Sequence, residues 1–243
     1  MNRNLWFVTL LLASCSAHGP TSPQGAEPGL NVADAALQGG VPQTALSVTA
    51  SILRSHPDDV GALVREATAL AQLNQPGAAM DSYRRALAVD PASPAALIGL
   101  GRLDLARGKA AEAEHSFTSR LTKEPEDKTA LNDLGVALDL QGRHTEAQAI
   151  YRKILDFSPD DQAASVNLAL SLSLSGQAGQ SVAMLRGPGS RPDASPRVRQ
   201  DLAMALALSG NQREAEKLLL TDLSPSDAAA ALKGYQALDA TIK

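Results

Sequence analysis

The chain has 243 residues, 44% of them hydrophobic and only 3% aromatic, and its formal net charge is −4. This length allows one large domain or a row of small repeats, and the low aromatic content disfavours a β-sandwich or a β-barrel. The negative charge and the lack of a basic stripe argue against nonspecific nucleic-acid binding, because phosphate contacts need clustered Lys and Arg.

Residues 1–14 have the pattern of a secretory signal peptide. Arg3 gives the start a positive charge, Leu5 to Leu12 form a mostly apolar run, and Ala13 and Ser14 are small. The apolar run is much shorter than the roughly 20 residues that a membrane-spanning helix needs. A basic start, a short apolar segment and a small-residue end are typical of a leader that is cleaved.

Cys15, the only cysteine, follows this segment directly. Leu12-Ala13-Ser14-Cys15 resembles the bacterial lipobox, which implies a diacylglyceryl thioether on Cys15, cleavage before it and acylation of the new amine. The alternative is an ordinary signal peptide with a chance cysteine at its end. Several acyl chains, at roughly 0.8 kcal/mol per buried methylene, would anchor the chain to a membrane. By resemblance to enteric lipoproteins, Ser16 favours sorting to the outer membrane, facing the periplasm.

Residues 15–29 begin with the expected lipidated cysteine and continue as a stretch rich in Gly, Pro and Ser. This stretch has almost no apolar content and cannot build a hydrophobic core. We therefore interpret it as a flexible linker. Residues 30–243 are interpreted as one repeat domain.

Several residue classes recur every 34 residues along this domain. The recurring residues are Pro57, Pro91, Pro125 and Pro159; Leu53, Leu87, Leu121 and Leu155; Ala45, Ala79, Ala113, Ala147 and Ala215; and Gly40, Gly108, Gly142, Gly176 and Gly210, with Asn74 in the remaining glycine position. A second small phase comprises Ala33, Ala67, Gly101, Gly135, Ala169 and Ala203. This pattern resembles the tetratricopeptide repeat, a helix-turn-helix of 34 residues.

Each class has a physical role in a pair of antiparallel helices. The small phases let the helices approach closely, and the Gly or Asn lies between them, where a positive φ is needed. Proline ends each repeat because it cannot continue a helix. The rings of Tyr83, Phe117 and Tyr151 are expected to fill the gap to the next repeat. The predicted fold is all-α, a right-handed superhelical solenoid of tetratricopeptide repeats with a C-terminal capping helix.

The period sets the repeat boundaries. The predicted units are residues 26–59, 60–93, 94–127, 128–161, 162–195 and 196–224. We expect the first unit to start its first helix late, near Asn31, and Gly187-Pro188-Gly189 to shorten the second helix of the fifth unit. Ser224 is the expected N-cap of the capping segment, residues 225–243, whose helix should run from Pro225 to about Ala240.

The sequence contains no recognisable catalytic or metal-binding set, and we expect neither enzymatic activity nor a bound cofactor or metal. The motifs of dinucleotide, nucleotide and zinc sites are absent, as is a nucleophile elbow. His115 and His144 lie at unrelated phases of the period and are interpreted as solvated helix residues. Glu124 is interpreted as a solvated turn charge. Asp104 and Arg120 depart from the usual residue types and are expected either to point to solvent or to pair with each other.

A stack of such repeats presents its first helices as an extended binding surface. The candidate partner-binding residues on these helices are Arg65, Arg102, Asn132, Asp133, Val136, Asn167 and Asp201. Side-chain amides at these positions suit hydrogen bonds to a peptide backbone. The alternative is a wet polar face with no ligand. No pair of Lys or Arg recurs at these positions, so the sequence does not predict a clamp for a carboxylate.

The last third of the chain resembles one family of repeat lipoproteins. Ser195 to Leu223, SPRVRQDLAMALALSGNQREAEKLLLTDL, followed by SPSDAAAAL, is similar to the end of TadD proteins of tight-adherence (Flp) pilus systems. Asp201 stands where that family usually has Asn, and Tyr235 and Leu238 match its end only loosely. The resemblance implies an outer-membrane lipoprotein scaffold that mediates protein–protein interactions in pilus assembly and secretin localisation.

The implied partners are the secretin or other pilus-assembly components, with the membrane reached through the lipid anchor and no nucleic acid. The alternative is another repeat lipoprotein, such as a type IV pilus pilotin or an envelope-maintenance adaptor. A third class, an enzyme accessory or a peptidoglycan-binding factor, has no support in the residues.

Overall fold

A computed structural model describes residues 28–242, which form thirteen helices and no strand. The helices are α1 (Pro28–Gln38), α2 (Pro42–Ser55), α3 (Val60–Gln72), α4 (Pro76–Val89), α5 (Pro94–Ala106), α6 (Ala110–Leu121), α7 (Lys128–Leu140), α8 (His144–Phe157), α9 (Gln162–Leu174), α10 (Ala178–Gly189), α11 (Pro196–Leu208), α12 (Gln212–Leu219) and α13 (Pro225–Ile242). The all-α prediction is confirmed. The signal peptide, Cys15 and the linker up to residue 27 lie outside the described residues. Within the described range, no helix is both long enough and apolar enough to cross a membrane.

Six helix-turn-helix pairs, α1–α2 to α11–α12, follow the 34-residue period, and each of their turns contains one left-handed residue. The φ angle is 56° at Asn74 and between 69° and 90° at the five glycines of the same phase, Gly40, Gly108, Gly142, Gly176 and Gly210. A residue with a Cβ is strained in this conformation, and Asn tolerates it better than most. The turn assignment made from the sequence is confirmed.

Capping side chains start several of the first helices of these pairs. The bonds run from the N–H of the third helical residue to a side-chain oxygen: Ala62 to Asp59 at 2.6 Å, Ala130 to Asp127 at 3.1 Å, Ala164 to Asp161 at 3.0 Å and Val198 to Ser195 at 3.3 Å. Each such bond is worth about 1 kcal/mol, because it satisfies a donor that has no partner within the helix. The expected cap of α13 is confirmed, since Asp227 N donates to Ser224 Oγ at 3.2 Å.

The chain divides into two compact units between Asp133 and Leu134. In the first unit, the rings of the second helices pack on glycines of the first helices. A Cβ on Gly101 would lie 2.5 Å from Cε1 of Phe117, a ring of the same helix pair. Tyr83 belongs to a pair that has Ala67 instead of glycine. Its ring reaches Gly99 of the next pair, where a Cβ would lie 2.5 Å from the Tyr83 hydroxyl oxygen.

The second unit repeats the glycine–ring contact and adds the capping helix. A Cβ on Gly135 would lie 2.6 Å from Cζ of Tyr151. A buried cluster then joins α9, α10, α11 and α12 and includes Leu185, Leu202 and Leu219. α13 packs against α11 and α12, and its Ala228 completes this cluster. The expectation that rings reach the next repeat therefore holds for Tyr83, whereas Phe117 and Tyr151 pack on glycines of their own pairs.

Two helix boundaries differ from the sequence expectation. α1 begins at Pro28, three residues before Asn31, because proline suits the first turn of a helix, where its missing N–H leaves no bond unmade. α10 continues through Pro188 and ends at Gly189, and its 12 residues equal those of α6, so Gly187-Pro188-Gly189 does not shorten it relative to that helix. Gly189 packs tightly, since a Cβ there would lie 2.8 Å from Cδ2 of Leu202.

Asp104 and Arg120 neither pair with each other nor both point to solvent. Asp104 is buried, and this burial raises the pKa of its carboxyl. Arg120 Nε donates to Asp127 Oδ2 at 2.7 Å, in the turn before α7. Both alternatives drawn from the sequence are therefore wrong, because Arg120 finds a nearer acceptor in the residue that caps α7.

Candidate protein-interaction surface

Two positions on each first helix carry most of the candidate binding residues. Position I comprises Asn31, Arg65, Gly99, Asp133, Asn167 and Asp201, and position II, three residues later, comprises Asp34, Thr68, Arg102, Val136, Leu170 and Met204. Residues three apart share one face of a helix. In the first unit, position II of one pair lies against position I of the next, so side chains 31 residues apart meet.

Arg65, a predicted site residue, is engaged with Asp34 of the preceding pair. Its Nε donates to Asp34 Oδ1 at 2.7 Å and its Nη2 to Asp34 Oδ2 at 2.6 Å. A third bond runs from Nη1 to the carbonyl oxygen of Gly61 at 3.1 Å. The bidentate geometry fixes the guanidinium plane, so Arg65 links α1 to α3 in the absence of a partner.

Arg102, Asn132 and Asp133 form a second polar group at the same two positions. Arg102 Nε donates to Asp133 Oδ2 at 2.7 Å, and the Asn132 side chain also hydrogen-bonds Asp133. Burial raises the pKa of the Asp133 carboxyl, and the charge and hydrogen bond of Arg102 oppose that rise. The side chain of Arg102 is 38% exposed, so this group presents its cation and the half-buried Asn132 to solvent.

In the second unit, the same positions are apolar or lack a salt bridge between helices. Val136, Leu170 and Met204 occupy position II, and all three are buried. Asn167 and Asp201 occupy position I and are buried as well. The structure therefore places three predicted site residues, Val136, Asn167 and Asp201, in the interior of this unit, and it places Arg65, Arg102, Asn132 and Asp133 in polar contacts of the first unit.

Asp201 differs from the other acids of the surface because one of its oxygens accepts no hydrogen bond. The residue is 2% exposed, and its Oδ2 lies 3.9 Å from Nε of Arg197, one turn earlier in α11. Arg197 Nη1 is also buried and makes no hydrogen bond. Burial raises the pKa of the Asp201 carboxyl to about 6, although Arg197 lowers it. The pKa of Tyr235 in α13 rises to about 12, through burial and the charge of Asp201.

The carboxyl group of Asp139, whose side chain is 6% exposed, joins three helices of the second unit. Asp139 in α7 accepts hydrogen bonds from His144 Nδ1 at 2.8 Å, Tyr151 Oη at 3.1 Å and Ser171 Oγ at 2.6 Å. His144 is therefore a partly buried partner of Asp139, and its interpretation as a solvated residue is wrong. His115 is exposed, as predicted.

Within residues 28–242, no group of three or more His, Cys, Asp or Glu side chains is placed to hold a metal ion. The polar groups of positions I and II are carboxylates, amides and guanidinium groups that bridge neighbouring helices. Such groups suit hydrogen bonds and ion pairs with a protein partner. In the sequence, the two salt bridges correspond to residues of opposite charge 31 positions apart. This spacing can be recognised only when position II is known to face position I of the next pair.

Family models described as "Tetratricopeptide repeat" match residues 60–103 and 98–162 of the chain. No curated protein sequence matches the chain significantly. Among solved structures, PilW, described as a "widely conserved type IV pilus biogenesis factor", aligns with a TM-score of 0.73 and 22% identity over 83% of this chain and 94% of PilW.

Two further structures share this arrangement of helices. The structure of pilF from Pseudomonas aeruginosa aligns with a TM-score of 0.69 and 17% identity, and the alignment covers 86% of this chain and 95% of that chain. A tetratricopeptide repeat protein from Parabacteroides merdae ATCC 43184 has a TM-score of 0.66 and 17% identity, with 88% and 87% covered. At such identities the likeness concerns the fold. The chain thus contains tetratricopeptide repeats and has the fold of tetratricopeptide-repeat proteins.

Proposed function

We propose that this protein is a lipid-anchored scaffold of the outer membrane that binds protein components of a tight-adherence (Flp) pilus, the secretin above all. The lipid on Cys15 holds the chain at the membrane, and the residues between Cys15 and α1 act as a tether. The repeats recognise the partner. Tethering two proteins to one membrane region raises their effective concentration, which favours assembly of an oligomer.

The observation that carries the proposal is the likeness to PilW over 94% of that protein, because PilW is itself described as a pilus biogenesis factor. The repeat fold supports a binding role, since stacked helix pairs expose an extended surface and commonly act as interaction scaffolds. The resemblance of residues 195–223 to TadD proteins favours the tight-adherence system over other pili.

The second candidate is a type IV pilus factor, which the description of PilW favours directly. The two candidates predict different losses in a strain that lacks the gene. A tight-adherence role predicts the loss of Flp pili and of their secretin multimers, with prepilin synthesis intact. A type IV role predicts the loss of twitching motility and of the type IV secretin multimers instead. Electron microscopy and immunoblots of unheated membranes measure both.

The lipid anchor has its own test. Labelled palmitate should enter the wild-type protein and should be absent from the Cys15→Ala variant. Ser16→Ala is a suitable control, because it leaves the thiol in place and should retain the label. If Cys15→Ala still incorporates palmitate, the anchor is not on Cys15 and this part of the proposal is wrong.

A further inference from the structure

We propose that α13 is a pH-dependent cap, which closes over α11 while Asp201 is neutral and is released when Asp201 ionises. Release exposes the α11 face that carries Asp201 and Met204. The inference concerns regulation of the surface in the proposed function and rests on that function only for its biological meaning.

The buried carboxylate of Asp201 lacks the close contacts that stabilise the other buried acids. A buried ionised carboxylate is costly unless hydrogen bonds or a close counter-ion compensate for lost hydration. Asp133 has Arg102 at 2.7 Å, and Asp139 has three donors. Asp201 has only Arg197, at 3.9 Å, and its Oδ2 accepts no hydrogen bond although the residue is 2% exposed.

α13 buries little apolar surface against the helices below it. Among residues 225–240 of α13, only Ala228 is buried, and alanine removes little apolar surface from water. Ala231, Leu232 and Tyr235 are half-buried against the cluster below. Gly234 lies inside the helix with open space around its α-carbon, and glycine in a helix interior costs roughly 0.8–1.0 kcal/mol relative to alanine. Ionisation of Asp201 therefore acts on a helix whose packing contributes little stability.

α13 packs against α11, the helix that carries Asp201. Seven consecutive residues of α11, Asp201 to Ala207, are buried, so the helix is covered on all sides. α9 and α13 both pack against α11. Burial, and after it the charge of Asp201, raise the pKa of the Tyr235 phenol, so the carboxyl acts electrostatically on a residue of α13.

The charged groups of the surrounding helices do not compensate Asp201. α9 has no titratable residue, and Arg186 of α10 is paired with Glu214 of α12. The charged side chains of α12 are Arg213, Glu214, Glu216 and Lys217, and all are exposed. On α11, Arg199 is paired with Asp222, which leaves Arg197 as the only cation beside the carboxyl. On α13, Asp227 and Lys233 are exposed, and Asp239, one turn after Tyr235, carries the same sign as ionised Asp201.

The direction of the effect follows from proton binding. The pKa of Asp201 is about 6 under the cap and near its ordinary 3.8 once the carboxyl meets water. The closed state therefore binds the proton more tightly, and it loses population as the pH rises between these values. From pH 5 to pH 8 the closing equilibrium should fall about tenfold.

Hydrogen exchange of the full-length protein without any partner tests this inference. Protection factors, which remove the intrinsic pH dependence of exchange, should fall about tenfold for α13 between pH 5 and pH 8. Those of α1 and α2, which open without exposing Asp201, should stay constant. Asp201→Asn should abolish the change, and asparagine suits the site because Asn167 occupies the same position of the preceding repeat. Tyr235→Phe, which keeps the ring and the carboxyl, should retain it.

A protection factor of α13 that does not change with pH, or a change that persists in Asp201→Asn, overturns the inference. Because the assay contains no partner, its outcome is independent of whether a pilus component binds.

Discussion

The ring of Tyr151 lies over Gly135 so closely that a Cβ on the glycine would be 2.6 Å from Cζ of the ring. Phe117 has the same relation to Gly101, one period earlier. In both cases a large ring on the second helix occupies the space that a missing methyl leaves on the first helix. Two residues 16 apart thereby set the distance between the helices of a pair.

Gly135→Ala should destabilise the fold by about 1–3 kcal/mol, because the new methyl cannot coexist with the present ring position. Urea unfolding followed by circular dichroism measures the change. Gly179→Ala is the matched control, since no atom lies within 4 Å of a Cβ at that helical glycine. The control should be neutral or slightly stabilising, by up to about 1 kcal/mol. Equal stability of the two variants would contradict the packing described.

Gly142→Ala should cost about 1 kcal/mol for a different reason, since the residue has a φ of 74° and open space around it. Gly142→Asn should cost less, because Asn74 occupies the equivalent turn with a φ of 56°. Thermal unfolding of the three proteins gives the order. If Ala and Asn are equally tolerated, the left-handed conformation is not the constraint.

Ser181→Ala should stabilise the protein by about 1 kcal/mol, because the buried Ser181 hydroxyl makes no hydrogen bond. Alanine occupies the same phase at Ala147 and Ala215, and both are fully buried. Ala147→Ser is the reciprocal control and should destabilise, since it buries a hydroxyl at the equivalent place. The urea midpoints of the two variants should therefore shift in opposite directions, and a shift in the same direction would count against this reading.

Asp201→Asn should make the fold more stable at pH 7.5 and nearly unchanged at pH 4. A carboxyl whose pKa rises from 3.8 to about 6 on folding binds its proton more tightly in the folded state. The wild type therefore loses stability as the pH rises through this range, by about 1–3 kcal/mol at most. Asparagine has no such loss. Urea unfolding at both pH values checks the sign, and a gain that is the same at both would show that Asp201 does not titrate as described.

The sequence predicts the turns and small positions well because each depends on a local requirement. Gly142 needs a positive φ, and Ala147 needs to be small, whatever lies further away. The packing of the aromatic rings is harder to predict from the sequence, because it depends on whether the facing small residue is an alanine, as at Ala67, or a glycine, as at Gly101. The bond between Arg65 and Asp34 combines two different positions of neighbouring repeats, so no single phase of the period reveals it.

The environment of Asp201 depends on a helix that leaves the period. One period after Pro196 is residue 230, whereas α13 begins at Pro225, so the register of the repeats does not predict what α13 covers. Asp201, Asn167 and Val136 were expected on a binding surface and are buried. Partner binding at these residues stays a prediction, and the candidates that remain partly exposed are Arg65, Arg102 and Asn132.

The central claim, that the repeats bind a secretin-type pilus component, is tested most directly by photo-crosslinking in the source bacterium. A photoreactive residue at Asn132, beside the Arg102–Asp133 pair, is compared with one at Arg152, an exposed residue of the second helix α8. Both variants must first be shown to support pili. We expect a crosslink to the tight-adherence secretin from position 132 and none from position 152. Normal pili with no secretin crosslink from position 132, or an equal crosslink from both positions, would contradict it.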